Sequence, residues 1–221
     1  WLHISTRIDI GVAHKLLCAH LQSPSSGHMT AAKHVLRHLK GSAARGLRFA
    51  SHGAHGELTG HFNDPMPCNG TTASCCDANW GPQDASHPKE GIVELIPTDS
   101  VRSLLGHTSI RMGGPIAWAC SREPKPSRSS SETEIFALAE GCKTSEMLHH
   151  LMSDLGLAED IATGIPLFND NQGAVDWSAG CSVSKKLRHL NIREIAVRDA
   201  RNSGVVNIMH VPGHSNVADL F

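Results

Sequence analysis

The sequence lacks several features that would place it quickly. It has seven cysteines but no Cys-x-x-Cys pair, and an odd number without paired spacing fits a reduced, intracellular protein better than a disulfide framework. Its sixteen histidines fall in no His-Glu-x-x-His run and no Cys/His finger spacing, which argues against a zinc site. No apolar run is long enough to cross a bilayer, and Trp1-Leu2-His3-Ile4-Ser5 lacks the basic-then-apolar design of a signal peptide. Lys and Arg number 20 against 21 Asp and Glu, so no global basic field is present and any contact with nucleic acid must come from local clusters. Internal repeats are absent too. The chain has no initiator Met and stops after Ala218-Asp219-Leu220-Phe221, so we expect a piece of a longer polypeptide.

What is present is a globular composition. At 221 residues with 40% hydrophobic and 19% charged positions, the chain can bury one ordinary domain and a smaller element. Ile10, Val12, Ala13, Leu16, Leu17 and Leu21 recur at helical spacing before the break at Pro24 to Gly27. A second amphipathic helix is predicted from His28 to Lys40, with Gly41 as its C-cap. Leu47 to Phe49 reads as a short strand. Leu58 to Phe62 reads as a strand remnant inside a loop, and Thr71 to Cys76 as a strand ending at Asp77. Residues 81 to 100 form a Pro-rich loop. Leu104 to Met112 and Pro115 to Ser121 pair as a hairpin across Gly113-Gly114.

The clearest helix starts at Ser129-Ser130-Ser131-Glu132. Its predicted apolar face includes Ile135, Leu138, Cys142, Leu148, Leu151, Met152 and Leu155. A buried strand, Ile165 to Phe168, then gives way at Asn169-Asp170-Asn171-Gln172 to a short helix. Lys185 to Asn202 reads as another helix, Val205 to Val211 as a strand, and the segment capped by Ser215 or Asn216 as a last helix. This order predicts an α/β fold, a mixed sheet with helices packed on it.

Four acids stand at element boundaries. Glu134 falls on the buried face of its helix, with Leu138, Leu148 and Met152, where a carboxylate is costly unless it is paired or bound to metal. Glu132 lies nearly opposite and suits a capping box with Ser129, which leaves Glu134 for chemistry. Asp77 and Asp170 each end a strand, where a turn or a cap is the ordinary use. Asp219 opens the last helix, where the dipole favours an acid. Carboxylates converging from separate elements repel one another unless a hard cation neutralises them, and Mg²⁺ suits such a set.

These residues carry a resemblance. Ser5-Thr6-Arg7-Ile8-Asp9-Ile10, the run from Ala31 to Gly41 with His28 ahead of it, and Cys76-Asp77-Ala78-Asn79-Trp80 are the first motifs. Gly113 to Trp118, Ser129 to Glu134, Asn169 to Gln172 and Val211 to Asp219 follow in order. Together they resemble the ribonuclease H domain of copia-type LTR-retrotransposon Pol polyproteins.

The resemblance implies a ribonuclease H-like fold, a five-stranded mixed sheet flanked by helices. Residues 46–221 would form it, and residues 1–45 would be a short helical connector from the end of the reverse transcriptase. It implies endonucleolytic cleavage of the RNA strand of an RNA–DNA hybrid with two Mg²⁺ ions, Mn²⁺ being the substitute. Asp77, Glu134, Asp170 and Asp219 fall on the metal-binding carboxylates, and His214 on a histidine that assists proton transfer or product release. The implied partners are the hybrid and the polyprotein's own reverse transcriptase, in a cytoplasmic virus-like particle or the nucleus, with no membrane.

Asn79, Asn171 and Gln172 are candidates to hydrogen-bond the RNA 2′-hydroxyl. Lys33, Arg37, Lys40 and Arg45 form one basic cluster, and Lys185, Lys186, Arg188 and Arg193 another. Phosphate contact is one use for such clusters and a solvated helix face is the commoner one. Two departures stand out: the second acid often found two residues after the first is Asn79 here, and the usual Ser-Lys run after Trp118 reads Ala119-Cys120-Ser121-Arg122. The alternative function is a catalytically inactive module of the same fold that binds template-primer or the polymerase. An integrase or transposase core is disfavoured, because Glu134 lies between the first two aspartates rather than last.

Overall fold

Five strands build one sheet: β1 (Thr72–Asn79), β2 (Leu104–Arg111), β3 (Gly114–Arg122), β4 (Ile165–Asn169) and β5 (Val206–His210). Their order is β3-β2-β1-β4-β5. β2 runs antiparallel to β1 and β3, while β4 is parallel to both β1 and β5. The helices are α1 (Leu2–Ser5), α2 (Gly11–Cys18), α3 (Ser26–Gly41), α4 (Ser130–Asp154), α5 (Gln172–Ser178) and α6 (Ile192–Asn202). This is the mixed sheet with flanking helices of a ribonuclease H-like fold. The computed structural model describes residues 1–49, 72–79, 102–180 and 192–220. The expected strand at Leu58 to Phe62, the loop at 81–100, and Lys185, Lys186 and Arg188 lie outside the described residues. So do the first residues expected of α6 and the side chain of Arg193.

β1 is weakly apolar, yet Thr72 to Cys76 are all buried. Its hydroxyls make this tolerable. Ser74 Oγ lies 2.8 Å from Ser109 Oγ on β2 and accepts from Ser145 Oγ on α4 at 2.9 Å, so the buried polar atoms satisfy one another. On one face of the sheet, Cys76, Leu105, Leu167 and Ile208 pack with Ile135, Leu138 and Cys142 of α4 and with α5 and α6. On the other, Ala73, Cys75, Ile110, Phe168 and Val211 pack with Ile8 and Val12 of the leading segment and with Val217 and Ala218. The amino-terminal residues thus cover a sheet face, and Trp118 Nε1 donates to His3 O at 2.7 Å.

Several local expectations change. Leu47 to Phe49 joins no ladder; Arg48 and Phe49 instead lie so close to Gly114 that a Cβ there would collide. The hairpin turns at Met112 (φ 51°) and Gly113 (φ 74°), leaving Gly114 as the first residue of β3. Both central residues have positive φ, as a two-residue turn matched to strand twist needs. Gly41 belongs to α3, and Ser42 is the C-cap. Leu151 is exposed because it lies off the stripe of Leu148 and Met152, which stay buried against Ile161 and Ile165, and Leu155 is the exposed C-cap. The final helix is a pair of 3₁₀ turns, Gly213–Ser215 and Val217–Leu220.

Candidate metal centre

β1 and β4 are parallel neighbours, with Ser74 opposite Leu167 and Cys75 opposite Phe168. Carried two residues further, that register sets Asp77 beside Asp170 at the carboxyl end of both strands. In α/β sheets this is the edge where ligands bind. Glu134 enters from the first turns of α4. Ser129 caps that helix by accepting from Glu132 N at 3.2 Å, and Glu132 accepts in return from Arg128 N at 2.8 Å. The expected cap is there, with the return bond one residue upstream of Ser129. Glu132 is thereby occupied, and Glu134 is buried against the sheet.

Asp77, Glu134 and Asp170 each offer a carboxylate oxygen within 4.8 Å of the others. Asp219, on the 3₁₀ turn after β5, is exposed and outside this trio, yet its charge bears on both aspartates. Burial pushes the Asp77 carboxyl up to about 6, with Asp170 and Asp219 adding repulsion. Burial pushes Glu134 up to about 8, opposed by the Asn169 hydrogen bond and reinforced by Asp77 and Asp170. Asp170 is raised by burial and by Asp219, against the pull of His210. Among the described residues no Lys or Arg forms an ion pair with any of the three. An all-oxygen set that repels itself, without a Lys or Arg partner among the described residues, suits a hard divalent ion.

Two fully buried asparagines frame the trio. Asn169 Nδ2 donates to Glu134 Oε2 at 2.9 Å and to the Cys76 carbonyl at 3.3 Å, while its Oδ1 accepts from Asn171 N at 2.9 Å. Asn216 Nδ2 donates to the same Cys76 carbonyl at 3.1 Å and stands 3.5 Å from Asp77 Oδ1; its Oδ1 accepts from Ala218 N at 3.1 Å. One peptide oxygen, just before Asp77, therefore gathers β4 and the Asp219 turn. Asn169, Asn216 and His210, whose Nε2 lies 3.1 Å from Asp170 O, were missed as site residues in the sequence. Asparagine beside an acid is also a turn signal, so the sequence offered no way to tell them apart.

The remaining candidates spread outward. His214 is exposed on the Gly213–Ser215 turn. Gly213 packs so tightly that a Cβ would lie 3.2 Å from Asp170 Oδ2, which puts the turn carrying His214 against the trio. Asn79 ends β1 and is exposed. Asn171 caps α5 by accepting from Ala174 N at 3.1 Å, and Gln172 Nε2 donates to Asp176 at 2.7 Å. Asn171 thus serves as the cap expected of it while Asp170 faces the other acids. Among the described residues no helix is long and apolar enough to span a membrane.

No family model matches the chain. It is 25% identical over 215 residues to the retrovirus-related Pol polyprotein from transposon RE1 of Arabidopsis thaliana, which covers 97% of this chain and 12% of that polyprotein. It is 22% identical over 217 residues to the corresponding polyprotein from transposon TNT 1-94 of Nicotiana tabacum, covering 98% of this chain and 14% of that one. The chain therefore spans about an eighth of the length of these two relatives. Among solved structures it is similar to LC11-RNase H1, isolated from compost, at a TM-score of 0.47 and 12% identity, over 68% of this chain and 91% of that one. Along nearly its whole length, the chain is similar to retrovirus-related Pol polyproteins of plant transposons.

Proposed function

We propose that the chain is a metal-dependent endonuclease that cleaves the RNA strand of RNA–DNA hybrids during reverse transcription. The observation that carries this reading is the convergence of Asp77, Glu134 and Asp170 within 4.8 Å at the carboxyl edge of two parallel strands. Those three would hold the ions, with Asp219 completing the set from the turn after β5. The bound cations would supply activation of water and neutralisation of the charge that builds on the scissile phosphate.

The chain's own residues prepare that site. Asn169 orients Glu134, and Asn216 fixes the peptide from which Asp77 projects. Gly213 leaves room beside Asp170, and His214 on the same turn would take or give a proton at the edge of the site. Asn79, exposed at the end of β1, would read the ribose 2′-hydroxyl. The substrate, the two-ion requirement and a setting in a virus-like particle or nucleus belong to this proposal. So does a reverse transcriptase partner from the same polyprotein.

The test is cleavage of an end-labelled RNA–DNA hybrid with Mg²⁺ or with EDTA. Mg²⁺-dependent cuts confined to the RNA strand, lost in Asp170→Asn, are expected. An Asp170→Asn variant as fast as the parent overturns the assignment, and hybrid binding without any cleavage by the parent selects the inactive binding module.

A further inference from the structure

Charge is segregated along this chain. Residues 1–49 hold seven Lys or Arg and a single acid, Asp9, although the whole chain carries 20 against 21. That acid is already neutralised. The buried Arg7 grips it with two bonds of 2.8 and 2.7 Å, and His38 Nε2 lies 2.7 Å away. α3 contains no Asp or Glu in its 16 residues. Lys33, Arg37 and Lys40 follow one another at four and three positions, which aligns them along one exposed stripe. Arg45, also exposed, continues beyond its end, while the exposed Arg48 lies against Gly114 at the hairpin end of the sheet, away from the carboxylates. None of these five takes part in an ion pair among the described residues.

A merely solvated helix face gains from mixed signs, because opposite charges three or four apart stabilise a helix and like charges weaken it. This stripe forgoes that gain. The opposite face of α3 says where the stripe stands. Ala31 packs with Leu16 of α2 and with Leu104 of β2. Leu104 is the register partner of Asn79, two residues beyond Asp77. α3 therefore flanks the same edge of the sheet as the carboxylates. One strand spacing and one packing layer separate it from β1, on the order of 15 Å, within one turn of a duplex at about 34 Å. The acids at that edge would repel a polyanion, and the nearest large block of unpaired positive charge on the leading segment is α3.

We propose that Lys33, Arg37 and Lys40, continued by Arg45, form a binding surface for the sugar-phosphate backbone of a nucleic-acid duplex. It holds the duplex through phosphate charge, without reading bases, and presents it to the acidic edge. The reading of the acids as a nuclease supplies the identity of the polyanion, but binding at α3 needs neither metal nor cleavage.

The test is fluorescence anisotropy in EDTA with a labelled 20-base-pair RNA–DNA hybrid and the matching DNA duplex, from 50 to 200 mM KCl. The full chain is compared with Lys33→Ala/Arg37→Ala/Lys40→Ala, whose circular dichroism and melting point check the fold. If α3 carries the contacts, the triple variant binds at least tenfold more weakly at low salt. Its slope of log affinity against log salt should be shallower by roughly 2 to 3, since each phosphate contact contributes about 0.9. Equal affinity and slope in a folded variant overturn the proposal. Sedimentation at low salt adds a second arm: a dimer of the parent that the triple variant loses, with duplex affinity unchanged, assigns α3 to the acidic surface of a second copy instead. Because no cleavage is read, an inactive but tightly binding parent would refute the nuclease while leaving this surface standing.

Discussion

Glu134→Gln should make the metal-free protein more stable at alkaline pH while removing its response to metal. Glu134 is held at about 8 against 4.5 for a free glutamate. A carboxyl whose value is raised on folding adds stability that is fully present below its unfolded value. That stability is lost as pH rises through the folded one. The window for Glu134 therefore runs from about 4.5 to about 8, and stability falls across it. At 1.36 kcal/mol per pH unit, the gap corresponds to an upper bound of roughly 5 kcal/mol. Asp77 and Asp170 share that repulsion and titrate with Glu134, so we expect removal of this one charge to recover about 2–3 kcal/mol. Gln keeps the shape and an oxygen to accept from Asn169 Nδ2. Urea unfolding in EDTA at pH 5 and pH 9 measures the effect. With a slope of about 2–3 kcal/mol per molar, the variant should unfold roughly 1 M later than the parent at pH 9 and at nearly the same urea concentration at pH 5. Added Mg²⁺ should close that gap by stabilising the parent alone. Parallel pH profiles for the two proteins would refute the burial and charge argument, whatever the activity.

Other consequences are open to direct measurement. Asp77→Asn should abolish Mg²⁺-dependent cleavage and most of the Mg²⁺-induced rise in melting temperature, since it removes one of the three converging carboxylates; an unchanged rise would exclude it as a ligand. Asn169→Ala removes the buried donor to Glu134 and Cys76 O and the acceptor for Asn171 N, and should destabilise by about 2–4 kcal/mol; a loss under 1 kcal/mol by denaturant titration would contradict the assigned bonds. Gly213→Ala places a methyl 3.2 Å from Asp170 Oδ2, so half-maximal cleavage should need more Mg²⁺ with little change in folding; an unaltered Mg²⁺ dependence would show that the turn yields freely. Arg7→Ala leaves Asp9 and the Ser42 hydroxyl without their buried partner and should cost about 2–4 kcal/mol, read as a lower urea midpoint at pH 7.

The sheet was legible where side-chain pattern and boundary signals agree. Ile165 to Phe168 is apolar, follows Gly164 and runs into a capping asparagine, and β4 forms there. Glu134 was legible as buried because its angular position on the helix coincides with that of Leu138 and Met152. β1 was harder. Thr72, Ser74 and Cys76 do not look like one face of a core strand, and only the hydroxyls of Ser109 and Ser145, 35 and 71 positions away, make that face buriable. The hairpin slipped by one residue because Met112 adopts a positive φ that a glycine would ordinarily supply. Leu151 and Leu155 are exposed although Met152 between them is buried against Ile161 and Ile165, and a three-or-four spacing alone does not fix how wide the covered stripe is.

The asparagines show why part of the site escapes any reading of residue types. Convergence of four acids can be anticipated from chemistry, because their repulsion demands a cation. What holds them in register is a single backbone oxygen. The Cys76 carbonyl receives Asn169 from β4 and Asn216 from the final turn, and each asparagine uses its other groups on a neighbour of a second acid: Asn169 on Glu134 and on the amide following Asp170, Asn216 on the amide preceding Asp219. Asp77 is thus one peptide from this oxygen, and the other three acids are tied to it through one of the two asparagines. Such an arrangement fixes carboxylates in the absence of metal, when their charges would drive them apart, and limits the reorganisation needed when a cation enters. Replacing Asn169 or Asn216 by aspartate would keep the volume and reverse the role of the nitrogen, turning a donor into a further acid at the Cys76 carbonyl. We expect either aspartate variant to bind Mg²⁺ more weakly than the corresponding alanine variant. Calorimetric titration of the folded variants checks that order, and the opposite order would mean that charge at these positions helps to hold the cation and that positioning is not their role.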